Sequence, residues 1–407
     1  MTQPTTDTGW SHAQAVAAVN REIGAAETLD IGILTPLSPP GDHTAGNLII
    51  RGACLGVEYA RQHGLLPAGL DFRLLVEDDQ ATSAREGMAR SSVAGLAKLA
   101  IVDGIIAGMG QWHSRTAPHV LRLAEHIGVP FFAEIGYDHV TDRGYRTAFR
   151  TYTMLAERMS LVLEFARSRD LERIAVVAAN TTFGQMIADD VQRLARERGD
   201  LPDVMRIDFD QESATDIRPQ LAEVASFRPD LLINGGVVRS NFMIMRQWAE
   251  VGTPHTLQAA SFDFPSRSDV FWDAVGDLGN RLIWPATVFR PGYPGLTAMG
   301  RWFIDAYRDR FAVYPPDNAL SAFTDITLIA QAAHHMASLT RDALIDALEA
   351  HEFDSWRGPI RFGEHEGHLH HSPPPLVLMQ YQAPHQGLDQ AAIIHPPERQ
   401  TGEVSVP

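Results

Sequence analysis

From Leu29 onward the chain alternates short aliphatic and β-branched runs with longer stretches in which apolar residues recur every three or four positions. Short apolar runs suit strands buried on both faces, and the longer periodic stretches suit helices laid against them. Strands are predicted at 31–35, 72–77, 101–107, 131–134, 174–178, 205–209, 231–234 and 257–260. Helices are predicted at 44–62, 116–127, 155–169, 184–198 and 217–226. That alternation is the pattern of an α/β protein with doubly wound, mainly parallel sheets. It restarts at Leu155, after Tyr145-Arg146-Thr147-Ala148-Phe149-Arg150-Thr151-Tyr152, which places a domain crossover at 145–152. Long helices at 296–310, 318–336 and 341–351, with strands at 358–362 and 376–381, are expected to complete two domains rather than build a third. A helix-like stretch at 11–26 precedes the first strand, and polar, proline-bearing stretches at 1–8 and 396–407 read as mobile tails.

Composition narrows the function. The 407 residues correspond to two or three domains at about 150 residues each. An apolar fraction of 45% and a charged fraction of 21% are those of a folded globular chain. The net charge of −16 speaks against a nucleic-acid partner. Lys98 is the single lysine, and its setting, Gly95-Leu96-Ala97-Lys98-Leu99, is not a phosphate loop. With Cys54 as the single cysteine there is no intrachain disulfide and no multi-cysteine metal site. The start, Met1-Thr2-Gln3-Pro4, lacks the basic and apolar regions of a signal peptide, and no apolar run approaches the roughly 18 residues of a membrane helix. Membrane insertion is therefore not expected.

In open parallel sheets ligands gather at the carboxyl ends of the strands, so the loops there carry most of the candidate chemistry. The first, Pro36-Leu37-Ser38-Pro39-Pro40-Gly41-Asp42-His43, offers a hydroxyl, or is a plain strand-to-helix turn. The loop Gly108-Met109-Gly110-Gln111-Trp112-His113-Ser114 allows close backbone approach, and Ser114 stands where a helix begins, as ligand contact or as N-cap. It is not a dinucleotide fingerprint, because His113 occupies the third glycine position. Ile135-Gly136-Tyr137-Asp138-His139 adds a phenol and an acid. The second half contributes Asn180 to Gln185, then Gly236 with Arg239 and Ser240, then Ser261-Phe262-Asp263-Phe264.

Catalytic and metal readings are weaker. There is no Gly-x-Ser-x-Gly elbow and no His-Glu-x-x-His, and Cys54 lies within a helical stretch as an ordinary buried thiol. His365, His368, His370 and His371 invite a metal, but 364–372 reads as an exposed hairpin loop with no inward partner, so neither metal nor cofactor is expected.

The order of several segments is more specific than any one of them. These are Ile31-Gly32-Ile33-Leu34-Thr35-Pro36-Leu37-Ser38, Val76-Glu77-Asp78-Asp79-Gln80, His126-Ile127-Gly128-Val129-Pro130-Phe131-Phe132 and Phe149-Arg150-Thr151-Tyr152. Asp216-Ile217-Arg218-Pro219-Gln220-Leu221, Pro229-Asp230-Leu231-Leu232 and Gly358-Pro359-Ile360-Arg361-Phe362 follow. Over about 29–381 the chain resembles the type I periplasmic-binding-protein fold, specifically the leucine/isoleucine/valine-binding protein family of ABC importer subunits, with amide- and urea-binding relatives. The resemblance implies two doubly wound α/β lobes joined by a three-strand hinge. Residues 29–150 with 286–352 would form lobe 1, and 151–285 with 353–385 lobe 2, flanked by an extension at 1–28 and a tail at 386–407. Such lobes close on a small polar molecule, and the closed form is what an ABC permease recognises. That is binding, not catalysis.

The pocket positions implied are Ser114, facing a ligand carboxylate or amide, Gly136 and Tyr137, and Asn180 and Phe183 from lobe 2, with Trp112 as an apolar wall or as plain core packing. Ser38, His113, Gly236, Arg239, Phe262 and Asp263 complete the candidate set. One departure matters: amino-acid-binding members place an acid after the strand 231–234, where this chain has Arg239 and Ser240. A buried ammonium without a counter-charge is costly, so a carboxylate, amide or urea-like ligand gains weight unless Asp138 or Asp263 substitutes. The resemblance implies a periplasmic or extracellular place. The missing export signal fits instead a cytoplasmic amide or amino-acid sensor acting on a regulatory protein. An enzyme on a doubly wound scaffold is the third class, with neither cofactor fingerprint nor activated nucleophile to support it.

Overall fold

Apolar runs become central strands because a parallel sheet covered on both faces has no solvent side for polar residues. The computed structural model describes residues 10–82, 89–199, 204–237, 239–266 and 268–406; the expected polar tail at 1–8 lies outside them. In order come α1 (His12–Arg21), β1 (Glu27–Thr35), α2 (His43–Gln62), β2 (Leu70–Asp78), α3 (Ala89–Ala97), β3 (Ala107–Met109), α4 (Ala117–Ile127), β4 (Phe131–Phe132) and β5 (Ala148–Phe149). These strands form one parallel sheet in the order β2-β1-β3-β4-β5. A second series follows: α5 (Leu155–Ser168), β6 (Ile174–Ala179), α6 (Thr182–Arg198), β7 (Val204–Phe209), α7 (Arg218–Phe227), β8 (Leu231–Gly235), α8 (Arg239–Val251), β9 (Leu257–Ala260), α9 (Ser268–Val275) and β10 (Ile283–Thr287). The chain then supplies α10 (Ala298–Phe311), α11 (Asp317–Ala332), α12 (Arg341–Ala350) and the short strands β11 (Glu352–Phe353), β12 (Ile360–Arg361), β13 (Glu364–His365) and β14 (His368–Leu369). Last come β15 (Leu376–Gln380) and β16 (Ala392–His395), which extend a seven-stranded sheet ordered β16-β15-β10-β9-β8-β6-β7.

The chain divides into two compact units. Unit 1 runs to Ile135 and includes His139–Tyr152 and Gly295–Pro373; unit 2 holds Gly136–Asp138, Thr153–Pro294 and the residues from Pro374 on. Apart from the three-residue excursion, the chain passes between units after Tyr152, Pro294 and Pro373.

Four expectations need correction. The strand expected at 101–107 begins only at Ala107: Lys98–Val102 is a π-helical turn that leaves Ile101 and Val102 exposed, and Gly104 turns back at φ +72°. Apolar content there marked a surface turn. Gly136–Asp138 lies with unit 2, because the Gly136 carbonyl accepts from Leu155 N–H at 3.0 Å and Asp138 accepts from Ala156 N–H at 3.2 Å. Residues 353–373 lie with unit 1, not lobe 2, since Phe353, Ile360 and Phe362 are buried in its core. The stretch at 396–407, expected to be mobile, is tied down as far as Ser405: Thr401 N–H donates to the Ile393 carbonyl at 2.8 Å, and Gln380 exchanges side-chain hydrogen bonds of 2.9 and 2.8 Å with the backbone of Ser405.

In unit 1, α2 is buried under α11 and the loop after β1, and glycines set the spacing. A Cβ on Gly52 would stand 2.0 Å from the Ala319 carbonyl oxygen, and one on Gly56 would stand 2.8 Å from Ile326 Cβ. Backbone cannot yield as a side-chain tip can, so Gly52→Ala should lower the urea-unfolding free energy by about 1–3 kcal/mol. Gly24→Ala, where nothing lies within 4 Å, should stay within about 0.5 kcal/mol of the parent.

Candidate ligand-binding site

On unit 1 the polar groups gather where β1, β2, β3 and β4 end. Ser38 is held by the Asp78 carboxylate, which also accepts from Leu37 N–H at 2.8 Å, while Gln80 donates to Ser38 Oγ at 3.1 Å. Ser38 is therefore a loop brace. His113 is buried and its Nε2 lies 2.6 Å from Asp42, tying the loop after β3 to the loop after β1. Gln111 donates to the His113 carbonyl at 2.8 Å and to Thr116 Oγ1. Trp112 packs against the unit 1 core.

Ser114 is different. It is 9% exposed, and among the described residues its hydroxyl makes no hydrogen bond. The helix-cap alternative falls away, since Thr116 occupies the N-cap position of α4. The neighbours hold the turn and leave Ser114 Oγ uncommitted, the state expected of a ligand-binding hydroxyl.

Unit 2 presents a different edge. Asn180, just after β6, is taken up by the loop after β7, accepting from Gln211 N–H at 3.0 Å. Gly236 is backbone-packed, with a Cβ there 2.8 Å from Asn241 N, and Ser240 Oγ accepts from Val237 N–H at 2.7 Å. Arg239 opens α8 with its side chain exposed. Asp263 accepts from Ser266 Oγ at 3.3 Å, so neither it nor Asp138 stands without a partner. The distinctive feature is aromatic: Phe183 meets Phe262 edge-on at 5.5 Å, and Phe262 meets Phe264 at 5.2 Å. These half-buried rings offer an apolar shelf. Tyr137 is buried, and Gly136 is packed against Leu155.

The histidine group does not assemble. His365 is exposed on β13, whereas His370 stacks on Phe149 at 4.2 Å and lies 3.0 Å from Glu349, and His371 accepts from Arg150 Nε at 3.1 Å. The segment was expected to be an exposed loop throughout; its second half is packed into unit 1, where burial lowers the pKa of His370. Among the described residues no group of three or more His, Cys, Asp and Glu side chains is arranged to hold a metal.

The Periplasmic binding protein family matches residues 28–385. The chain belongs to that family. Its fold is shared with a leucine-binding protein of Thermotoga maritima (TM-score 0.73, 16% identity, 91% of this chain and 99% of that one). A branched-chain amino acid transporter substrate-binding protein of Streptococcus pneumoniae, in complex with isoleucine, aligns with a TM-score of 0.73 at 16% identity over 93% of this chain and 100% of that one. A solute-binding protein of an ABC transporter from Rhodopseudomonas palustris, in complex with 3,4-dihydroxybenzoic acid, aligns with a TM-score of 0.70 at 19% identity over 87% and 93%. All three are type I, two-lobed α/β folds, as is this periplasmic binding protein.

Two acids outside the expected set shape its unit 1 edge. Glu134 follows β4, and both its carboxylate oxygens lie within reach of Thr151 N–H, at 2.8 and 3.0 Å. It also shares a side-chain hydrogen bond with Asp325, a fully buried residue of α11. Burial lifts the Glu134 carboxyl to about 7, against the lowering effects of Thr151 N–H and Arg150. Asp325 is also raised, by burial first and by Glu134 next. Sequence signals existed for both: an acid directly after Phe131-Phe132-Ala133, and an acid in the middle of the otherwise uncharged stretch 318–331.

Two carboxyls in one dry contact keep a proton, because both cannot ionise there. The folded chain holds that proton at a pH where the unfolded chain, with a glutamate near 4.5, has released it. This contribution to stability is thus complete below about 4.5 and is lost as pH rises through about 7. Thermal unfolding should show Tm falling over that window, and Asp325→Asn should flatten the fall; a slope identical to the parent's would refute the shared proton.

Proposed function

We propose that this periplasmic binding protein captures a small solute carrying a carboxylate or amide on an apolar body, and delivers it to an ABC-type permease. The single observation that carries the reading is Ser114: a hydroxyl at the carboxyl edge of a parallel sheet, uncommitted while Ser38, Gln111, His113 and Thr116 around it are engaged. The Phe183 and Phe262 rings support the apolar part of the ligand. Arg239 and Ser240 stand where an acid would meet an ammonium, which favours an acid or amide over a zwitterionic amino acid. The dihydroxybenzoate named for one relative, a carboxylate without an ammonium, agrees with this class; the isoleucine named for another shares the carboxylate but adds the ammonium that Arg239 and Ser240 disfavour. The reading places the protein outside the cytoplasmic membrane, carrying solute rather than converting it.

Ligand binding to the folded state alone raises stability by about 2.7 kcal/mol at 100 times the dissociation constant, so thermal-shift screening of amino acids, amides, ureas and aromatic or aliphatic acids identifies the solute. For that solute, calorimetry should show Ser114→Ala weakening binding about tenfold or more, the loss of one hydrogen bond to a charged group. Phe183→Ala should weaken it similarly by removing an aromatic face. Unchanged affinity in both variants would refute the reading, as would turnover of the bound compound.

A further inference from the structure

The described residues before 28, from Trp10 on, lie outside the family match, yet they are built into unit 1. Asn20 mimics a strand residue against the free side of edge strand β2, donating to the Leu74 carbonyl at 2.9 Å and accepting from Leu74 N–H at 3.0 Å. Arg61 adds a bond of 3.1 Å to the Val19 carbonyl at the end of α1. These ties leave a cavity of about 920 Å³ flanked by α1, α2 and the end of α10, within the size range of small-molecule sites. Trp10, Ala15, Ala18, Val19 and Phe311 give it an apolar wall.

Its polar side is cationic in a chain of net charge −16. Arg61 is paired with Asp71 at 2.9 Å and Glu22 at 3.3 Å, and Arg310 with Glu58 at 2.9 Å. Arg51 is not so paired. Its guanidinium carbon lies 4.3 Å from the Phe311 ring centre and 4.8 Å from that of Trp10, and its Nε is buried without a hydrogen-bond acceptor. Among the described residues no carboxylate lies within ion-pair reach of it. Ring faces attract the charge but accept none of the in-plane N–H bonds, so a half-buried guanidinium held this way keeps a planar edge matched to an oxyanion.

We propose that this cavity is a second ligand site, taking a small organic carboxylate with an apolar body, its carboxylate on Arg51 and its body on the Trp10 and Phe311 side. The site shares no residue with the carboxyl-edge site, so the two readings stand or fall separately. Calorimetric titration with benzoate, and with inorganic phosphate in parallel, tests it on the full chain. Benzoate should bind with an affinity at least tenfold weaker in Arg51→Gln, and Ser114→Ala should retain that component. Should Arg51→Gln fail to fold by circular dichroism, Arg51→Lys, which keeps the charge but loses the planar fork, should weaken binding at least fivefold. Three results would overturn the proposal: no benzoate binding to the parent chain, unchanged affinity in the folded Arg51 variant, or phosphate binding as tightly as benzoate. Loss of the whole benzoate signal in Ser114→Ala, with Arg51→Gln unaffected, would assign benzoate to the carboxyl-edge site and likewise overturn it.

Discussion

A parallel sheet sandwiched by helices has water on neither face, and this constraint orders both units. Polar side chains are expelled from the strand centres and return where the strands end, in loops whose backbone groups still need partners. In unit 1 carboxylates meet that need: Asp78 holds Leu37 N–H, Asp79 holds Ala81 N–H and Glu134 holds Thr151 N–H, while Asp42 ties down the His113 side chain. Each bond is worth only about 1 kcal/mol, but together they give the loops one conformation. The Ser114 hydroxyl is left without a hydrogen bond among the described residues, while the groups beside it are consumed in holding the turn.

Unit 2 meets the same need with side-chain amides and a hydroxyl as well as a carboxylate: Asn180 holds Gln211, Asn234 holds Gly236, Ser240 holds Val237 and Asp210 holds Glu212. Ser240 closes the turn before α8, Asn180 ties the end of β6 to the loop after β7, and the rings of Phe183, Phe262 and Phe264 lie beside them. The half-buried rings give this edge an apolar face. The two edges differ in chemistry although the strand-and-helix rhythm behind them is the same.

Glu134 and Asp325 show what burial adds to such a scheme. The same carboxylate that braces Thr151 lies against a second acid on α11, so the brace works with a proton held near neutral pH. It sits at Glu134 and Thr151, each within two residues of a point where the chain leaves unit 1. Arg51 is the opposite case, a charge stabilised by rings where an acid would be usual, on a wall contributed by a segment that the family match leaves out.

Strand centres such as Ile31–Thr35 and Leu257–Ala260 and the helices between them were legible in the sequence, because apolar periodicity is local and each element shows it alone. Ser114 was legible as a candidate for the same reason, standing just past a strand. Its freedom was not, since that depends on Thr116 taking the cap and on Asp42 reaching His113 from 71 positions away. Nor was the docking of the last residues on β15, the burial of His370 and His371, or the meeting of Glu134 with Asp325. Each of these is a partnership between distant segments, and only the folded chain decides which buried polar group finds which partner.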